Sequence, residues 1–406
     1  MSSVIIIGGG AAGLAAAIAA ASCGDRVTLL ERMDRVGKKI LATGNGRCNL
    51  MNTGHLRFPG GAALAQNVLT RFGPMEQTLF WQHIGLRTRQ EDGGRVYPVS
   101  GMASTVLDTL RFTLDALGVE TITAVHVTGV YKARHGWTVM AGDEKWKADR
   151  VIVAGGGCAQ PKLGSNGSAW QLLTEQGHTL VPPKPALTQI ITDTAPIRGL
   201  GGIRIRTEVW ITQGKRTKYC ETGELLFADY GVSGVCVMQC ARYAEAGDTL
   251  HMNLLKAMGF DGRDDFKQEL DRRRKLWGNT RMLSEFLTGL CVPKLAQALF
   301  SAAGMGSVQQ YTCGQLTSAD IERLANRAAD FMLTIKGVKG FDSAQVTAGG
   351  IAADEFDPVT LESRLDKGLH AAGEVLDVDG DCGGFNLMFA FGSGILAGLN
   401  GRDIPW

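Results

Sequence analysis

The sequence lacks an excess of charge of either sign. Forty-two Lys and Arg stand against 40 Asp and Glu, a formal net charge of +2 over 406 residues. Such a balance gives no electrostatic footprint for a nucleic-acid partner. The sequence also lacks any CxxC pair. Its nine cysteines fall at 23, 48, 158, 220, 236, 240, 291, 313 and 382. The nearest two, Cys236 and Cys240, are spaced CxxxC with no histidine cluster beside them. That argues against a zinc site and a dithiol redox motif, and no metal is expected. An odd cysteine count without a secretory signal reads as reduced thiols in a cytoplasmic protein. A basic start is missing as well. The uncharged stretch Ser2–Gly24 follows no Lys or Arg, and glycines at 8, 9, 10 and 13 interrupt it. This fits neither a signal peptide nor a spanning helix, so no membrane partner is expected. No internal repeat or low-complexity tract occurs.

What the chain does have is glycine, 54 residues of it, in a composition that is 45% hydrophobic and 20% charged. That composition is globular, with many tight turns and close approaches of backbone to ligand. The first cluster is the most specific. Val4-Ile-Ile-Ile7 reads as a buried parallel strand. Gly8, Gly10 and Gly13 then match GxGxxG, with Ala12 inside the pattern. An Ala-rich helix follows to Ser22, Gly24 ends it, and Arg26–Leu30 reads as a second strand carrying Glu31 at its end. Strand, glycine turn, helix, strand and terminal acid form one dinucleotide-binding unit. Gly8 makes the turn, Gly10 admits a pyrophosphate, Gly13 lets the helix pack, and Glu31 can accept from a ribose. FAD and NAD both suit these parts.

The next stretch bears on that choice. Arg32 is followed by Gly37-Lys-Lys-Ile-Leu-Ala-Thr-Gly-Asn-Gly-Arg-Cys-Asn49, a second glycine-rich loop where an NAD fold would proceed to a regular helix. Backbone N–H groups at Thr43, Gly44 and Gly46 could form an anion nest, with Arg47, Lys38 or Lys39 offsetting phosphate charge. The plainer alternative is a surface loop with solvated lysines. Two later stretches follow the same logic. Asp149–Gly157 is a strand running into the turn Ala154-Gly155-Gly156-Gly157. Leu369–Asp379 is a strand ending in acids, followed by Gly383-Gly384 and a C-terminal helix. In flavoproteins with two such turns the last helix points its N-terminus at the flavin, and by that likeness this helix would present its positive dipole end to it.

On the motifs "GKKILATGNGRCNLMN", "GGRVYPVS", "VIVAGGG…PKLGSNG", "GHTLVPPKPAL" and "GGIAADEFDPVTLESRLDKGLHAAGEVLDVDGDCGGFNL", the chain resembles a known family. This is the HI0933-like, or aminoacetone-oxidase-like, family of bacterial FAD-binding flavoproteins. The family comprises NAD(P)/FAD-dependent oxidoreductases and includes bile-acid 4,6-reductase-type members. The resemblance runs from the N-terminus to the last helix. It implies FAD contacts from Gly8, Gly10, Gly13, Glu31, Lys39, Gly44, Gly46, Arg47, Asn49, Gly155, Gly373, Glu374, Asp379, Gly384 and Asn386. Adjoining positions complete the expected cofactor site: Ala12, Arg32, Thr43, Cys48, Ala154, Gly156, Gly383 and Leu387. Val127 is expected to pass the adenine, as in related flavoproteins. The chain departs from the family at Met51, at Phe385 and Met388, and at Asn166-Gly-Ser168.

The expected fold is α/β: a two-dinucleotide-binding-type FAD domain on a Rossmann-like βαβ unit, with an inserted small β domain and a helical subdomain. The FAD domain would be discontinuous, 1–186 plus 341–406, with the β domain at 187–250 and the helical subdomain at 251–340. Glu120–Asp149 alternates like a small antiparallel meander. Helices are expected over Asp264–Ala303 and Ser318–Phe331, with Arg272-Arg-Arg-Lys275 as a solvated face. The insertion holds no second GxGxxG, so NADH or NADPH would visit the flavin only transiently, or another donor must serve. A small-molecule substrate is expected, with the oligomeric state open.

Flavin carries hydride chemistry, leaving the protein to orient the substrate and supply a proton. Tyr97 is the candidate donor and Arg47 a second catalytic candidate, with Arg95 a possible anion holder. Tyr97 can equally be a core aromatic and Cys48 an inert thiol. His83, His178 and His370 read as surface or packing residues. Three functions fit: an NAD(P)H-driven reductase of an activated C=C bond, an amine or aminoketone oxidase using O2, and a non-catalytic FAD-binding redox sensor.

Overall fold

A computed structural model describes residues 2–306 and 308–406. They form two compact units, Met1–Pro185 with Phe341–Trp406, and Ala186–Gly340.

The first unit is built on a five-stranded parallel sheet. Its strands are β1 (Ser3–Ile7), β2 (Arg26–Leu30), β3 (Glu120–Ile122), β4 (Arg150–Val153) and β5 (Leu369–Ala371). Their order is β5-β4-β1-β2-β3, every pair parallel. Val4 to Ile7 are buried without alternation, as a parallel strand covered on both faces requires. Helix α1 (Ala11–Ser22) follows the first turn, and Ala12 to Ala20 are all buried. The burial of so many alanines is explained by the C-terminal helix α2 (Phe385–Leu399). A β-carbon at Gly394 would collide with the Ala12 carbonyl oxygen, and one at Gly398 with the Ala16 carbonyl oxygen. Small residues on both sides let the two backbones touch.

The expected meander begins later than Glu120. Glu120–Ile122 joins the main sheet as β3, and the antiparallel strands are Gly129–Lys132, Trp137–Ala141 and Glu144–Ala148. The edge of a parallel sheet captured three residues whose alternation alone could not show their partner.

The second unit is a closed six-stranded barrel with helices on the same core. Strands Thr249–Asn253 and Phe331–Val338 complete the barrel from either side of the helical stretch. The strand-rich and helical parts of the insertion therefore make one unit. The last helix stops at Ala329, and Phe331 starts a strand whose residues alternate buried and exposed. In the basic run, Arg273 is not solvated. It is buried, pairs with Glu269 at 2.6 Å and donates to the Phe286 and Thr288 carbonyls at 3.1 and 2.8 Å. Among the described residues no helix is long and apolar enough to cross a membrane.

Candidate cofactor and active site

The first turn is forced by close approach. Gly8 has φ +106°, and a β-carbon there would fall 2.6 Å from the Ala154 carbonyl oxygen and 2.8 Å from the Gly155 Cα. The turn from β1 thus lies directly on the turn from β4. Gly10 is the N-cap of α1, with no side-chain hydrogen bond capping the helix. A β-carbon on Gly10 would meet no atom within 4 Å. The helix start therefore presents unpaired N–H groups to open space, the arrangement that binds phosphate. Glu31 already accepts from the Gly9 N–H at 2.6 Å and the Met33 N–H at 2.7 Å. A carboxylate has further lone pairs, so a ribose hydroxyl remains within its capacity. The Val125 N–H bonds to the Glu31 carbonyl at 2.9 Å and the Ala124 N–H to the Met33 carbonyl at 2.8 Å, which brings buried Val127 close in the chain to this end. Arg32 donates to the Gly164 carbonyl at 3.0 Å.

The second loop is a short helix, Lys38–Ala42, followed by a turn. Gly44, Asn45, Gly46 and Cys48 all have positive φ. The expected nest is smaller than the sequence suggests. The Thr43 N–H closes the helix on the Ile40 carbonyl, and its hydroxyl bonds to the same carbonyl at 2.6 Å. Helix termination consumed a donor that the glycine pattern had left free. Lys39 pairs with Glu374 at 2.6 Å, and Glu374 also accepts from the Thr347 N–H at 2.7 Å. Arg47 pairs with Glu91 at 2.6 Å and places its guanidinium carbon 4.1 Å from the centre of the Tyr97 ring. Burial pushes the Cys48 thiol up to about 12, so it is an inert neutral group and not a flavin-side thiolate.

The fourth stretch meets the second. Gly384 (φ +106°) is the N-cap of α2, again with no side-chain cap bond. A β-carbon on it would stand 2.6 Å from the Met51 carbonyl oxygen and 2.8 Å from Asn49 Oδ1. Asn49 Oδ1 is buried without a partner among the described residues. Gly373 donates its N–H to Ser393 Oγ at 3.0 Å. Asn386 uses its side chain on its own turn, accepting from the Gly380 N–H and donating to the Gly380 carbonyl, both at 2.8 Å. Asp379 is buried and its carbonyl accepts from the Gly60 N–H at 3.3 Å. Gly155 packs against Ala169, Gly156 (φ +76°) against Ser165, Gly383 (φ +138°) beside Asn52, and Leu387 against the core.

Two residues that sequence reasoning missed tie these pieces together. Asn52 donates to the Gly383 carbonyl at 2.9 Å and the Gly93 carbonyl at 3.2 Å, joining the second loop to the start of α2. It lies just beyond the glycine-rich run, so proximity was the only available signal. Gln77 donates to the Met388 carbonyl at 2.8 Å from the helix Pro74–His83. Nothing in the sequence marks it. The Met388 side chain is fully buried, which is why an apolar residue stands there.

The two helix starts have a definite relation. Gly394 lies on Ala12 and Gly398 on Ala16, so α1 and α2 run parallel at this crossing. Helix α2 begins eight residues, about 12 Å, before the level of Ala11. One extended ligand can therefore meet both helix starts at different points along its length. The open space at Gly10 and Gly46 and the unpartnered Asn49 oxygen fit a bound dinucleotide.

The class these features define is that of the FAD-dependent oxidoreductases. The chain belongs to the HI0933-like protein Rossmann domain family, which matches residues 2–400. It is 39% identical to a 3-dehydro-bile acid delta(4,6)-reductase of Clostridium scindens, over 100% of both chains. It is 26% identical to a ribosomal RNA dihydrouridine synthase of Haemophilus influenzae, over 98% of this chain and 97% of that one. The solved 3-ketosteroid-delta4-(5alpha)-dehydrogenase of Rhodococcus jostii RHA1 aligns over 99% of this chain and 97% of that chain, at 16% identity and a TM-score of 0.48. Membership of an enzyme class sets aside the non-catalytic sensor.

Proposed function

We propose that this enzyme saturates a carbon–carbon double bond conjugated to a carbonyl in a small molecule, using electrons from NADH or NADPH, in the cytoplasm. The observation that carries the reading is Tyr97. Its ring is buried on the strand Arg95–Pro98, which pairs with Met51–Asn52, the segment that meets Gly384. Its hydroxyl makes no hydrogen bond among the described residues, while Arg47 covers its face. A clamped ring whose O–H is not used within the protein supports the role of proton donor.

The proposed cofactor contacts are Gly10, Glu31, Gly46, Asn49 and the N-terminal N–H groups of α1 and α2. When bound, FAD would supply the hydride chemistry. Tyr97 would deliver the proton to the carbon next to the carbonyl, and Arg47, held by Glu91, would keep the ring in place. The relatives' names support the reaction type. A delta(4,6)-reductase acting on a 3-dehydro bile acid and a dihydrouridine synthase both add hydrogen to a double bond conjugated to a carbonyl. The second name makes uridine in RNA a rival substrate, but the net charge of +2 favours a small molecule.

The test is an anaerobic visible spectrum before and after NADH or NADPH, then addition of a steroid-like enone or an RNA containing uridine. Bleaching by the nicotinamide and recovery with the enone is the expected result. Recovery with RNA alone would move the substrate to nucleic acid. A spectrum indifferent to both nicotinamides, but bleached by an amine with peroxide released in air, would establish the oxidase instead. Tyr97→Phe should slow recovery about a hundredfold or more while bleaching stays fast. A variant as fast as the parent would remove Tyr97 from catalysis.

A further inference from the structure

Away from the glycine turns, the first unit contains a chain of three groups that the flavin chemistry does not use. His178 is buried, with its ring stacked on Phe356 at 4.6 Å. Its Nδ1 lies 2.6 Å from a Glu355 carboxylate oxygen, and its Nε2 lies 2.9 Å from Ser363 Oγ. Glu355 also accepts from the Thr179 N–H at 3.1 Å, and these bonds hold its carboxyl below the usual range despite the opposing effect of burial. An ionised carboxylate can only accept, so Nδ1 carries a proton, and in the neutral ring Nε2 is then an acceptor. The Ser363 hydroxyl must then donate to Nε2. Such a nucleophile–base–orienting acid arrangement is recognised by roles and geometry, whatever the order in the chain.

Two further observations make this more than a packing tie. The N–H groups of Leu365 and Asp366 donate to Ser363 Oγ at 3.1 and 3.0 Å, which leaves the hydroxyl proton to face His178 Nε2. Ser363 also lines an open depression of about 520 Å³, together with Asp357, Val359, Thr360, Glu362 and Arg364.

We propose that Ser363, His178 and Glu355 form a second catalytic centre that hydrolyses small carboxylic esters. Ser363 Oγ bonds to the ester carbonyl carbon and passes its proton to His178 Nε2. The bond to the alcohol oxygen breaks, and the alcohol leaves with that proton. Water then attacks the acyl-serine, gives a proton to His178, and releases the carboxylic acid with Ser363 restored. No oxidant or reductant is needed.

The experiment uses the full-length purified protein with p-nitrophenyl acetate as substrate and a fluorophosphonate as covalent probe, the adduct being located by mass spectrometry. The adduct is expected on Ser363. Hydrolysis should fall to background in Ser363→Ala and about a hundredfold or more in Glu355→Gln, which keeps the side chain's shape but lets an amide force the wrong imidazole tautomer. His251→Gln serves as the control. His251 is similarly bonded, to Asp330 at 2.7 Å and Thr212 at 2.9 Å, in the barrel unit, and its loss should leave hydrolysis unchanged. An unlabelled Ser363 in the parent protein, or equal rates in parent and folded Glu355→Gln, would overturn the proposal. The labelling result decides even where a variant does not fold.

Discussion

At the scale of single residues, the glycines separate into those that meet protein and those that meet open space. Gly8 and Gly13 admit no β-carbon because backbone atoms occupy its place. Gly10 is different, since nothing of the protein lies within 4 Å of the position its β-carbon would take. A side chain there fits the protein and fills the space assigned to the pyrophosphate. Gly10→Leu should therefore fold with a melting temperature near the parent's and purify without its yellow colour. Absorbance near 450 nm relative to 280 nm measures this, and full flavin occupancy in the variant would contradict the role of the first turn. The opposite lesson comes from Cys48 and Thr43. Both lie in the glycine loop, yet burial silences the thiol and helix closure uses the Thr43 N–H.

Among elements, α1 and α2 hold the two helix starts at a fixed offset. That offset depends on Gly394 and Gly398, where a methyl group would strike the carbonyls of Ala12 and Ala16. Gly394→Ala should cost about 1–3 kcal/mol or more, since neither helix backbone can yield within a packed core. Gly262→Ala, where a β-carbon meets nothing within 4 Å, should stay within about 1 kcal/mol. Denaturant unfolding of the two variants provides the comparison. Equal losses would mean that the helices separate freely and that the offset is not held by this contact. Helix α1 was legible from its alanines and flanking glycines. Its partner was not, because an Ala-rich stripe states that something packs closely without stating what.

On the scale of the whole molecule, stability should respond to acid through His370 on the central sheet. Burial lowers its imidazole to about 4 from an ordinary value of 6.5, with Nε2 bonded to Asn400 Oδ1 at 3.1 Å and Nδ1 without a partner among the described residues. Above pH 6.5 both folded and unfolded chains are neutral here, and the contribution is intact. Between pH 6.5 and 4 the unfolded chain binds a proton that the folded chain refuses, so stability falls by up to about 3 kcal/mol. His370→Gln should flatten that part of the pH dependence in urea titrations. An unchanged slope would show that the imidazole does not titrate with unfolding.

The sequence by itself determined the parallel sheet with its first glycine turn, the second glycine loop, the long cofactor and the family. These follow from local features: runs of β-branched residues, glycines at fixed spacing, and an acid at a strand end. The tertiary structure alone decided the rest. It placed Asn52 on Gly383, Arg47 over Tyr97, Lys39 on Glu374, and two late strands of the insertion in a closed barrel. Each of these joins positions tens to hundreds of residues apart. A local pattern can show that a polar group or a strand edge needs a partner. Which partner it receives is settled only when the chain closes on itself and the groups left unpaired must be satisfied together.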